Sequence, residues 1–190
     1  MRIVGGQFRG RPLAAPGDEH TRPTSDRVRE AIFNILAHGI ADFELQGAKV
    51  LDLFAGTGAL GLEALSRGAT FCLFVEEEAE ARALIRRNIE AFGLTGVTKI
   101  FRRDATDLGP AGRNGGFALV FLDPPYGRGL AQRALVSAAA GGWLAPGAVV
   151  VSEDRKDAGL ALPAGYAAVD RRSWGDTQVL FARFAGGGEA

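Results

Sequence analysis

The rhythm of apolar positions changes along the chain, and each change marks an element. Over residues 26–37, Val28, Ala31, Ile32, Ile35 and Leu36 fall on one face at 3.6-residue spacing, which predicts a helix. Thr24 or Ser25 offers an N-cap oxygen and Gly39 a stop. Short apolar runs then alternate with amphipathic stretches. Strands are expected at 49–54, 71–76, 99–103, 117–123 and 148–152, and helices at 58–67, 78–92 and 130–140. In the second of these helices Ala81, Leu84, Ile85, Asn88, Ile89 and Phe92 share one stripe. The last part of the chain changes habit: 166–171 and 177–184 read as strands joined by a tight turn at Trp174-Gly175-Asp176. Residues 1–13 mix short apolar pieces with Gly5-Gly6 and Gly10, compatible with a small hairpin or an arm.

Strand–helix alternation with short connections implies a mostly parallel sheet covered by helices on both faces. A closing pair of strands joined too tightly for a crossover must be antiparallel. The expected fold class is therefore α/β, with a Rossmann-like, seven-stranded, mostly parallel sheet, an antiparallel last strand and a short N-terminal hairpin. The expected division is a basic arm at 1–24, the main domain at 25–185 and a frayed tail at 186–190. Ligands in such sheets bind at the carboxyl ends of the strands, near the switch in strand order.

At 190 residues the chain has the size of one domain with room for an appendage. Its composition is that of an ordinary globular protein. No run is long and apolar enough to span a bilayer, and the N-terminus lacks the apolar core of a secretion signal, so a cytoplasmic location is expected. Cys72 is the single cysteine, which excludes an internal disulfide, and His20 and His38 stand apart from other ligand types, so no metal is expected. Formal net charge is zero, yet Arg2, Arg9 and Arg11 come before any acidic residue, and Arg22, Arg27 and Arg29 follow among Asp26 and Glu30. This distribution fits either an RNA contact or a solvated tail.

Two strand ends carry the chemistry. The first runs Asp52-Leu53-Phe54-Ala55-Gly56-Thr57-Gly58-Ala59-Leu60-Gly61, where Gly56, Gly58 and Gly61 match G-x-G-x-x-G, and Glu76 ends the next strand. Glycines let the backbone turn sharply against a ligand, and Glu76 can accept hydrogen bonds from ribose hydroxyls. Read mechanically this is a dinucleotide fingerprint, and an NAD-dependent oxidoreductase is one reading. Asp52 favours another. Its carboxylate repels a pyrophosphate but attracts a cation, and S-adenosylmethionine carries a sulfonium and an ammonium in place of phosphates. Asp104, with Ala105 beside it, closes the third strand, where an Asp can bind an adenine amine.

The fourth strand ends in Asp123-Pro124-Pro125-Tyr126. Two prolines fix the backbone, so Asp123 and the Pro124 carbonyl can accept both hydrogens of an –NH2 group. Tyr126 offers a face on which a base can stack. Holding a conjugated amine at near-attack distance is where catalysis can arise, and Asp123 favours the positive charge that develops on nitrogen.

Asp123–Tyr126 together with the 52–58 loop resembles the amino-methyltransferases, which act on adenine, guanine or amide nitrogen. Residues 2–11 (RIVGGQFRGR), 22–30 (RPTSDRVRE) and 58–67 (GALGLEALSR) are similar to the bacterial 16S rRNA guanine-N2 methyltransferases of the D type, and the resemblance runs from Arg2 to Thr177. It implies S-adenosylmethionine as cofactor, held around Thr24, Asp52, Phe54, Ala55, Gly56, Thr57, Gly58, Glu76, Glu77, Asp104, Ala105 and Asp123. It implies N2 methylation of one guanine in 16S rRNA of the small subunit or its precursor, by a monomer. Asp123, Pro124, Pro125 and Tyr126 would hold the base; Arg2, Arg9 and Arg11 would meet RNA, with Arg22 at the border of the site. Tyr126 varies with phenylalanine in such motifs, so its hydroxyl is expected to be dispensable. Methylation of DNA adenine or protein glutamine, and an idle RNA-binding module, stand as alternatives.

Overall fold

The structure, a computed structural model, describes residues 1–17 and 25–186. Thr24, Arg22 and the tail beyond Gly186 lie outside the described residues. Seven strands form one sheet: β1 (Lys49–Leu53), β2 (Phe71–Val75), β3 (Thr98–Phe101), β4 (Phe117–Leu122), β5 (Leu144–Arg155), β6 (Tyr166–Trp174) and β7 (Thr177–Phe184). The order is β3-β2-β1-β4-β5-β7-β6, with β1 to β5 parallel and β7 antiparallel to both neighbours. The order reverses between β1 and β4.

Four helices cover the sheet: α1 (Asp26–His38), α2 (Ala59–Ser66), α3 (Ala79–Phe92) and α4 (Leu130–Ala140). Val28, Ile32, Phe33 and Leu36 of α1 pack with Leu65 of α2 and Ile85 of α3 on the sheet face that carries Val50, Phe74 and Phe121. On the other face Ala134 and Leu135 of α4 meet Leu51, Val120 and Trp143. Ser25 caps α1, its hydroxyl accepting from Val28 N at 3.2 Å, and Gly39 ends it.

Several bounds move from the sequence reading. β1 stops at Leu53 because Phe54 takes a left-handed conformation (φ 58°), which turns the chain out of the sheet. β3 is shorter, ending at Phe101, since Asp104 folds back on Thr106. β5 is much longer than 148–152: it starts at Leu144 and takes in Pro146-Gly147 through a register shift opposite Phe117–Leu119. β6 extends to Trp174 and carries a bulge at Val169, leaving only Gly175-Asp176 as the turn.

The N-terminal segment is less regular than a hairpin. It closes through one bridge between Arg2 and Pro12, with a 3-10 turn at Gly6–Phe8 and a backbone bond from Leu13 N to Met1 O at 3.0 Å. It is held down by buried Glu63 of α2, whose carboxylate accepts from Val4 N (2.9 Å) and Gly5 N (2.7 Å). Glu63 also meets Arg67 Nε at 2.8 Å and the buried Arg29 Nε at 3.5 Å. Arg29 reaches on to Asp26 Oδ1 at 2.7 Å and the Arg2 carbonyl. Gly6 seats the segment flush on α2. Its φ is +75°, and a Cβ there would stand 1.9 Å from the Ser66 carbonyl oxygen. No helix among the described residues is long and apolar enough to cross a membrane.

Candidate active site

The switch in strand order places the ends of β1 and β4 side by side. Leu53 pairs with Leu122, so the turn that follows β1 stands beside Asp123. Between them opens a cleft of about 1380 Å3, lined by Asp52, Phe54, Ala55, Gly56, Thr57 and Asp123, with Leu84 and Arg87 of α3 opposite. Gly56 (φ 56°) and Gly58 (φ 77°) make the turn, and a Cβ on Gly56 would meet nothing within 4 Å, so the backbone there stands open. Gly61 serves packing instead. Its Cβ would fall 2.5 Å from the Phe74 ring and 2.6 Å from Cys72 Sγ, and its absence lets α2 lie against the sheet.

Asp52 is 2% exposed and points to the α1–α3 side of the sheet, where its Oδ2 accepts from Gly61 N at 3.0 Å. Burial pushes its carboxyl up from 3.8 to about 8; the Gly61 hydrogen bond opposes this and the charge of Glu76 adds to it. Asp123 is raised well above the ordinary carboxyl range, by burial first and then by Glu153, Asp52 and Asp154. Buried Cys72 is raised by burial and by Asp52.

Glu76 stands at the end of β2 as expected, but its carboxylate braces the turn. Oε2 accepts from Gly56 N and Oε1 from Glu78 N, both at 2.9 Å. Glu77 is exposed, and it is Glu78, not Glu76 or Glu77, that lines the cleft. Asp104 Oδ1 accepts from the Thr106 N–H and hydroxyl, both at 2.8 Å, while Ala105 is buried among the α4-side residues; neither lines the cleft. Pro124 is buried, Pro125 is exposed, and Tyr126 is 43% exposed at the rim. The three N-terminal arginines separate. Arg2 Nε pairs with Asp26 at 3.1 Å, Arg11 lies over the Phe92 ring and bonds Ala91 O, and Arg9 is exposed.

Sequence reasoning missed several contributors. Met1, Ala15, Pro16 and Gly17 of the N-terminal segment line the cleft. Arg29, read as part of a basic run, is buried and lines it too. Asn88 is buried behind the glycine turn, and its place on the apolar stripe of α3 was the available signal. Among the described residues no group of three or more His, Cys, Asp or Glu is arranged to hold a metal ion.

The family described as conserved hypothetical protein 95 matches residues 1–183. The chain is 38% identical over 167 residues to the ribosomal RNA small subunit methyltransferase D of Escherichia coli (strain K12), covering 87% of this chain and 81% of that protein. This chain belongs to the methyltransferase D family. It is a methyltransferase with a Rossmann-like fold. The structure of the Escherichia coli protein yhhF superposes with a TM-score of 0.83 at 32% identity, covering 97% of each chain. The Thermus thermophilus 16S rRNA N2 G1207 methyltransferase, solved with AdoMet and guanosine, shares the fold with a TM-score of 0.61 at 24% identity, over 88% of this chain and 44% of that one.

Proposed function

We propose that this methyltransferase uses S-adenosylmethionine to methylate the exocyclic N2 amine of one guanine in 16S rRNA, on the small ribosomal subunit or its precursor, as a cytoplasmic monomer. The observation that carries the reading is one cleft shared by Asp52, the open glycine turn and Asp123. In this reading residues 25–185 are the methyltransferase domain and the N-terminal segment is its RNA-facing arm. The donor set fits a cationic cofactor: Asp52 supplies a buried acid behind a turn that approaches closely, and Glu78 and Glu80 add acids at the mouth. Phe54–Gly58 would hold the cofactor with Asp52, Glu76 would act through the turn it braces, and Thr24 would be a further contact.

When bound, the cofactor supplies an electrophilic methyl group on a sulfonium. The chain's own groups do the rest. Asp123 and the Pro124 carbonyl accept the two amine hydrogens, which aims the nitrogen lone pair along the cleft. A carboxyl held at raised proton affinity beside Glu153 and Asp52 is a strong base once ionised, which supports Asp123 as acceptor of the proton that leaves the nitrogen. Tyr126 at the rim offers its ring to the base, Pro125 stiffens the turn between them, and Arg2, Arg9, Arg11 and Arg22 would contribute to RNA contact.

The deciding experiment incubates unmethylated small subunits with methyl-labelled S-adenosylmethionine and maps the label. Label on guanine N2 is expected. Label on adenine or on a protein glutamine would move the chain to another amino acceptor, and uptake of NAD in its place would end the reading.

A further inference from the structure

Asn88 is 2% exposed, and its carboxamide is shared between two segments remote in sequence. Oδ1 accepts from Ala14 N at 2.7 Å, while Nδ2 donates to Ala14 O and to Thr57 O, each at 3.1 Å. Both hydrogens of the amide are therefore used, one on the N-terminal arm and one on the glycine turn. The Thr57 hydroxyl adds a second link, donating to Met1 Sδ at 3.7 Å. From Ala14 the arm runs directly into Ala15, Pro16 and Gly17, which wall the cleft on that side. At its other end the arm is anchored independently, by Glu63 and Ser66 on α2.

We propose that Asn88 is a positioning residue that couples docking of the N-terminal arm to the shape of the cofactor turn, so that arm and cofactor strengthen each other's hold. The proposal rests on the reading of the cleft as an S-adenosylmethionine site. One side chain fixes both walls, so moving the arm away strips the Asn88 carboxamide of both Ala14 contacts and lets it rotate, which loosens its hold on the Thr57 carbonyl. A cofactor that favours the fixed turn must then favour the docked arm by the same factor, because coupling between two equilibria is reciprocal. No direct contact between the arm and the cofactor is required.

The test compares wild type, Asn88→Ala, Gly6→Ala and Ile89→Val by S-adenosylmethionine calorimetry and by amide hydrogen exchange of the arm with and without that cofactor. Gly6→Ala pushes the arm off the Ser66 carbonyl from the end remote from Asn88, and Ile89→Val is a buried change on the same helix that leaves every hydrogen bond to either wall in place. In wild type the cofactor slows exchange at Ile3, Gly5 and Ala14. Asn88→Ala weakens cofactor binding about tenfold or more and abolishes that slowing. Gly6→Ala also weakens the cofactor, whereas Ile89→Val changes neither readout despite its loss of stability. Wild-type affinity in Asn88→Ala, or arm exchange in wild type that ignores bound cofactor, would overturn the coupling. Failure of wild type to bind S-adenosylmethionine would instead remove the reading of the cleft. If Asn88→Ala does not fold, Gly6→Ala and the wild-type exchange data decide.

Discussion

Two acids, Asp52 buried within β1 and Asp123 half-buried just past β4, would divide the work at the scale of single residues. In the proposed reading Asp123 holds the amine, so Asp123→Ala is expected to abolish methyl transfer while S-adenosylmethionine affinity stays within a few fold; calorimetry beside a methylation assay separates the two. Asp52 lies deeper and controls charge. Its carboxyl rises from 3.8 unfolded to about 8 folded, so between those values the folded chain holds a proton that the unfolded chain has released. Stability therefore falls as pH rises from about 4 to about 8 and levels off above, and urea midpoints should show this slope flattened in Asp52→Asn. A cationic ligand would displace the same proton, so its affinity should climb over that window. Both residues were legible in sequence because Asp52 interrupts an apolar run and Asp123 ends one. What a linear reading could not give is their shared cleft or the bracing role of Glu76, since both depend on which strand lies beside which.

At the scale of elements, the alternation of apolar runs with amphipathic stretches sufficed to locate each α-helix and sheet strand of the described residues, because each one buries a face with its own period. Bounds slipped where backbone conformation overrode hydrophobicity, as at Phe54, which turns left-handed, and at Pro146-Gly147, which a shifted register carries inside β5. The third glycine of the fingerprint has an element-level task, to let α2 touch β2. Gly61→Ala would press a methyl group against Phe74 and Cys72, and overpacking of this kind costs about 1–3 kcal/mol, measurable as a lower urea midpoint. Polar residues inside helices were harder to read. Arg29 and Glu63 sit at positions that a sequence assigns to solvent, yet both are fully buried because they face each other and the arm. Glu63→Gln would remove one of the two carboxylates that face the buried Arg29, leaving Asp26, and would turn one oxygen that accepts from the arm into an amide nitrogen. A loss of about 1–3 kcal/mol is expected from equilibrium unfolding, as for buried polar groups left without a hydrogen-bond partner.

Across the whole molecule the formal charge is zero, and attraction to RNA must come from local arrangement. Of the three arm arginines, Arg2 and Arg11 are occupied by Asp26 and by the Phe92 ring, whereas Arg9 is exposed with no side-chain partner among the described residues. Arg9→Ala should thus weaken RNA binding and reduce the slope of log affinity against log salt by about 1, with the melting temperature unchanged. Equal salt slopes for variant and wild type would show that the arm makes no phosphate contact there.

The sheet's outer strands have a further consequence, for behaviour at high concentration. β3 offers only four residues along one rim. β6, on the other, is longer but broken by its bulge at Val169 and studded with Asp170, Arg171 and Arg172. A foreign strand laid along that rim would lose its hydrogen-bond register at the bulge and meet charges that resist drying. An open sheet rich in valine and phenylalanine is thereby kept from templating fibrils, and crowding in the cell would not seed polymers from either flank.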